Sequence, residues 1–136
     1  MKSGHWIVLG ASLGLVAVAA GAFGDHLLKD RLIEWYGERG PRQMENWQTA
    51  SRYLMYHAVV LVVLGCLPVT LSRRGVSLAG ACFLVGCLLF SGGLFANVLS
   101  GIGWLVHIVP LGGMGLLAGW LVLAATACGG RRESSR

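Results

Sequence analysis

Four stretches along the chain carry no Asp, Glu, Lys or Arg: residues 6–24, 54–71, 76–99 and 104–128. At a rise of 1.5 Å per residue, even the shortest makes a helix of roughly 27 Å, close to the ~30 Å hydrocarbon thickness of a bilayer. Irregular backbone facing lipid would leave peptide groups without partners, so the pattern predicts four helices despite the glycines within them. The polar positions fall mainly between the first two runs, from Asp25 to Arg52. There, Leu28, Leu32, Trp35 and Tyr36 stand at i, i+4, i+7 and i+8 with charged residues between them, the spacing of an amphipathic helix. Beside a membrane such a helix is expected in the interface, with Trp35, Tyr36, Trp47 and Tyr53 as anchors at headgroup depth. Gly37, Gly40 and Pro41 break it, and Pro41 suits the first turn of a helix running into the second span. Asn46, Ala50, Tyr53 and His57 then share one stripe. The predicted fold is an all-α membrane protein of one domain: a four-transmembrane-helix bundle with an amphipathic interfacial helix between helices 1 and 2, within an interfacial segment of about residues 25–52.

Short turns at 72–75 and 100–103 make the later helices antiparallel neighbours. Pro110 removes a backbone hydrogen bond inside the fourth run, so either that helix kinks or residues 104–109 form a short segment and the span starts near Pro110. Small residues recur at helical spacing: Gly10, Gly14, Gly21 and Gly24 in the first run, Gly115 and Gly119 in the fourth. They predict faces where helices approach closely, within the chain or in a homo-oligomer.

Composition strengthens this picture, with 55% hydrophobic residues, 12% charged and a mean hydropathy of +0.67. The first run also resembles a secretory signal peptide, with Lys2 ahead of it and the small residues Ala19, Ala20, Gly21 and Ala22 near its end; its length of nearly 20 residues favours a retained span. The net charge of +5 suggests nucleic acid until its placement is considered. With four spans, Lys2, Arg73, Arg74, Arg131, Arg132 and Arg136 share one side with the acid Glu133. Lys29, Arg31, Arg39, Arg42 and Arg52 share the other with Asp25, Asp30, Glu34, Glu38 and Glu45. The arginine pair in a four-residue turn favours that side as cytoplasmic, with both termini inside and the bilayer, not nucleic acid, as partner. Cys66, Cys82, Cys87 and Cys128 all fall in apolar runs, where thiols filling helix contacts are expected rather than disulfides.

Polar residues inside or beside a span are costly and default to a site hypothesis, which here selects Asp25, His26, His57, Asn97 and His107, all expected toward one leaflet. Three uses compete: a hydrogen-bonded cap tying helix ends together, a proton or small-molecule carrier exploiting histidine titration, and a haem or metal site on His26 and His57. No paired carboxylates, nucleophile with base, or zinc-spaced Cys and His cluster is present, so no catalytic role, metal or cofactor is assigned. The leading expectation is a noncatalytic packing or accessory subunit, with a carrier and a haem or metal protein as alternatives.

Gly21-Ala22-Phe23-Gly24-Asp25-His26 resembles the GAFGAH segment of the YgdD-like inner-membrane proteins, domain-of-unknown-function family 423, related to eukaryotic transmembrane protein 256. Trp47-Gln48-Thr49-Ala50 with Tyr53, Tyr56 and His57 matches as well. So do Leu89-Phe90-Ser91-Gly92, and Pro110-Leu111-Gly112-Gly113 followed by Gly119-Trp120. The resemblance implies four transmembrane helices in the bacterial inner (plasma) membrane and supplies no reaction. Only His26 and His57 match its histidine positions; Asp25 stands where alanine is usual and Phe95 where tyrosine is common.

Overall fold

The computed structural model describes residues 3–67 and 71–133. The end of the second apolar run falls on residues 68–70 and lies outside the described residues, as do the charged side chains of Lys2, Arg131, Arg132, Glu133 and Arg136 that entered the orientation argument. The described residues are almost entirely helical: α1 Ser3–Phe23, a π-helical turn Gly24–Leu28, α2 Lys29–Tyr36, a 3-10 turn Gly37–Arg39, α3 Gly40–Cys66, α4 Arg73–Ser100, a 3-10 segment Gly103–His107 and α5 Val109–Glu133. Three helical stretches are long and apolar enough to cross a membrane: Gly4–Cys66, Arg73–Ser100 and Gly103–Gly129.

The first stretch, 63 residues, would extend about 95 Å if straight, three bilayer thicknesses. It is folded on itself instead. Gly37, at φ 55°, supplies the left-handed backbone that a side chain resists, and Pro41 enters the first turn of α3, where its missing N–H costs nothing. From that turn α3 runs back antiparallel in one register. Gly40 lies against Leu32 and Ile33, Gly24 against Trp47, Gly14 against Ala58, and Gly10 against Ala58 and Val62. Because α2 continues α1 through the π-helical turn, the amphipathic segment extends the hairpin. Leu28, Leu32 and Tyr36 of the expected interfacial stripe face protein, packing with Met44, Trp47 and Val98; of the four, Trp35 is exposed.

The second hairpin joins α4 to α5. Ser72 caps α4 by accepting from the Gly75 N–H, and the chain leaves α4 through Gly101, at φ 70°, whose N–H donates to the Asn97 carbonyl. Pro110 sits in the first turn of α5, preceded by the 3-10 segment. Of the two readings of Pro110, the helix therefore starts there and is not kinked by it. Val109, Gly112, Leu116 and Gly119 are the buried stripe of α5, all turned to α4.

The helices form an open row. α1 packs on α3, α3 on α4 and α4 on α5, while α5 has no substantial contact with α1. A closed four-helix ring, as the word bundle suggests, needs that fourth contact. Accordingly α3 and α4 carry most of the core, which centres on Leu54, Leu61, Phe83 and Cys87 with Trp6 reaching in from α1. The outer faces of α1 and α5 remain apolar and uncovered: Leu15 is 73% exposed and Leu121 72%.

Candidate functional site

The residues selected for chemistry do not meet. Asp25 and His26 lie exposed on the π-helical turn, where the Asp25 Oδ1 accepts from the Gln48 amide at 3.3 Å. Asn97 is buried at the end of α4, its amide donating to the Ile102 carbonyl at 3.1 Å, so it ties down the loop after the helix. His107 is exposed in the 3-10 segment and its Nδ1 lies 3.0 Å from the Trp104 carbonyl, a local bond. His57 stands apart from all four. It lies ten residues beyond Trp47 on α3, hence about 15 Å deeper, level with Gly14 in the middle of α1. α3 begins at Gly40 and α1 runs alongside it, so His57 lies well inside the α1–α3 hairpin, away from its turn.

At that depth His57 is 5% exposed and walled by rings. Phe83 lies 5.5 Å away between centroids, Trp120 6.3 Å and Tyr53 6.3 Å. Its Nδ1 is 2.8 Å from the Tyr53 carbonyl. A carbonyl only accepts, so Nδ1 carries the proton in this bond. Nε2 is buried without a partner, as is the Ser91 hydroxyl. Among the described residues no three His, Cys, Asp or Glu side chains gather in a metal-holding group, and the four cysteines are free thiols.

What does converge is the set of segments that carry the family resemblance, and they converge on one another. Trp47 is 5% exposed, so its place is in the core and not among the interfacial anchors. Its indole N–H donates to the Ala20 carbonyl at 2.8 Å, and its ring lies over Gly24, where a Cβ would stand 2.5 Å from Cδ1 and 2.6 Å from Nε1. Phe95 closes the other side at 4.6 Å between centroids. Tyr36 is half-buried, with its hydroxyl donating to the Val98 carbonyl at 2.9 Å; of the four residues expected as anchors, Trp35 and Tyr53 are exposed. Tyr53 in turn lies 4.8 Å from Phe90. On the other hairpin Gly112 approaches the backbone of Leu89 and Phe90 so closely that no Cβ fits between them.

The glycines expected to pack divide accordingly. A Cβ at Gly10 would meet the Ala58 carbonyl oxygen at 2.6 Å, one at Gly119 the Phe83 ring at 2.7 Å, and one at Gly115 the Gly86 backbone at 3.2 Å. Gly14 has only ordinary contact with Ala58, and Gly21 faces open space. Gly86 and Gly112, which the spacing argument passed over, are among the tight contacts. The run Gly86, Gly92, Gly93 in the third apolar stretch was the signal available for one of them.

A family model described as "Protein of unknown function (DUF423)" matches residues 20–113. A UPF0382 membrane protein of Staphylococcus epidermidis is 39% identical over 118 residues, covering 87% of this chain and 90% of its own. The UPF0382 membrane protein YwdK of Bacillus subtilis is 37% identical over 123 residues, covering 90% and 94%. No solved structure matches the chain. With the family model spanning more than half of the residues and full-length relatives above a third identical, this helical, membrane-type chain belongs to the DUF423 family.

Proposed function

We propose that the protein crosses the bilayer four times as two antiparallel hairpins, α1 with α3 and α4 with α5, with both termini cytoplasmic. We further propose that it serves as a noncatalytic packing element, an accessory component of a larger membrane assembly. The observation that carries this reading is the mating of the resemblance segments: Gly24 receives Trp47, Tyr53 meets Phe90, and Gly112 meets Leu89 and Phe90. Residues kept for chemistry gather around a reacting atom; these gather around each other. The open row adds a reason for partners, since α1 and α5 each keep a long uncovered apolar face that lipid or another helix must fill. On this reading α2 lies at the outer headgroup level with Trp35 outward.

The test is blue-native electrophoresis and crosslinking on gently solubilised membranes. A discrete complex larger than the monomer, with a stoichiometric second polypeptide, is expected. A solitary monomer under all mild conditions contradicts the accessory role.

A second reading, a small carrier using the histidines, draws on the unpartnered Nε2 of His57. It requires a water path past the rings of Phe83 and Trp120. Proton flux into vesicles containing the purified protein, lost on His57→Phe, would support it. Flux equal to that of empty vesicles removes it.

A further inference from the structure

At the end of the row opposite Gly37 and Gly101, an open groove of about 470 Å³ runs beside the close contact of Gly75 on α4 with Thr126 on α5. Leu78, Val122 and Ala125 make its apolar wall, while Ser72 and Thr126 stand at its polar rim. Ser72 and Gly75, both lining residues, bracket Arg73 and Arg74. Both arginines are exposed, and neither pairs with a carboxylate among the described residues, where the ion pair found is Arg31 with Glu34. The groove opens at the end of α4 that carries Arg73 and Arg74; its lining is apolar and hydroxyl, and the two arginines stand beside it in the first turn of the helix.

We propose that this groove is a site for an anionic phospholipid, its phosphate held by Arg73 and Arg74 and its glycerol and upper acyl chain lying between α4 and α5 along Leu78, Val122 and Ala125. Charge complementarity selects the occupant: basic grooves between membrane helices favour anionic headgroups, and guanidinium groups bind phosphate oxygens bidentately. A zwitterionic lipid fits the same walls without the net charge. The inference does not depend on the accessory role, because it needs only that the chain lies in a bilayer.

Native mass spectrometry of the delipidated protein in neutral detergent tests it, with phosphatidylglycerol and phosphatidylcholine of identical acyl chains as probes. The wild type is expected to retain phosphatidylglycerol preferentially. Loss of two surface charges is expected to weaken that retention on the order of thirtyfold in Arg73→Gln/Arg74→Gln. Arg73→Lys/Arg74→Lys keeps the charge and should hold most of the affinity. Ala125→Phe, which fills the groove and leaves both arginines in place, should lose it as well. Far-UV circular dichroism checks folding; should the glutamine pair not fold, the lysine pair and Ala125→Phe decide. Equal retention of the two lipids, or wild-type retention by Ala125→Phe, overturns the proposal. Glycerol phosphate displacing the lipid at equal concentration shows a simple phosphate site and overturns it too, as does a polypeptide crosslinked at Ala125→Cys in native membranes.

Discussion

Gly24→Ala isolates the contact on which the first hairpin is built. The new methyl carbon would stand 2.5 Å from Trp47 Cδ1 and 2.6 Å from Nε1, well inside van der Waals distance, so the indole must leave its place. Overpacking of this kind costs about 1–3 kcal/mol. Moving the ring also breaks the 2.8 Å bond to the Ala20 carbonyl, a loss of about 1 kcal/mol or less in a membrane. Against this, replacing glycine by alanine in a helix gains up to about 1 kcal/mol. The net expectation is a destabilisation of about 2 kcal/mol. Trp47→Leu costs about 3 kcal/mol alone by vacating a buried indole, and in its presence the methyl at Gly24 fills empty space. The double variant should therefore be no less stable than Trp47→Leu, a coupling of about 2 kcal/mol. Unfolding in a titration with sodium dodecyl sulfate, followed by far-UV circular dichroism so that loss of the tryptophan does not bias the signal, measures all four corners of the cycle. Additivity within about 0.5 kcal/mol refutes the slot.

The same titration checks three further expectations. Gly112→Ala places its Cβ against the backbone of Leu89 and Phe90, which cannot rotate away, and should cost about 3 kcal/mol; Gly92→Ala, facing open space, should stay within about 0.5 kcal/mol of the parent. His57→Phe keeps a ring among the surrounding rings, removes a buried nitrogen that has no partner and gives up the Nδ1 bond to the Tyr53 carbonyl, so stability should fall by about 1 kcal/mol or less; a loss above about 2 kcal/mol would mean that Nε2 is engaged in the native membrane. Asn97→Ala removes the bond to the Ile102 carbonyl and should cost about 1 kcal/mol, with faster hydrogen exchange confined to the amides of 102–105.

The helices were legible because absence of charge over 18 or more residues is a constraint that lipid itself imposes, and Pro41 and Gly37 announced the first turn through their own backbone limits. Pro110 announced a helix start equally well, but its position within an uncharged run left a kink open until the 3-10 segment before it was seen. Trp47 was misplaced for a different reason. A tryptophan beside polar residues suits a headgroup layer and a core slot alike, and what decides between them, the missing Cβ of Gly24, lies 23 positions away on another helix. The ring-lined surroundings of His57 were hidden in the same way. Its ring neighbours Phe83 and Trp120 come from α4 and α5, far along the sequence, whereas the spacing along α3 shows only the stripe it shares with Tyr53. The five polar residues share a side by counting, and the packing does not bring them into one site.

The proposed topology puts the turns of both hairpins on one side of the bilayer and the connection between the hairpins on the other, and cysteine accessibility reads that directly. In a chain whose four native cysteines are replaced by alanine, Glu38→Cys, Gly103→Cys and Ser72→Cys are each exposed to a membrane-impermeant maleimide on intact cells and again after permeabilisation. Positions 38 and 103 should be modified from the same side, outside, since Tyr36 reaches Val98 and Gly101 across the row, and position 72 only once the membrane is opened. Modification of 38 and 103 from opposite sides, or of all three from outside, contradicts the account.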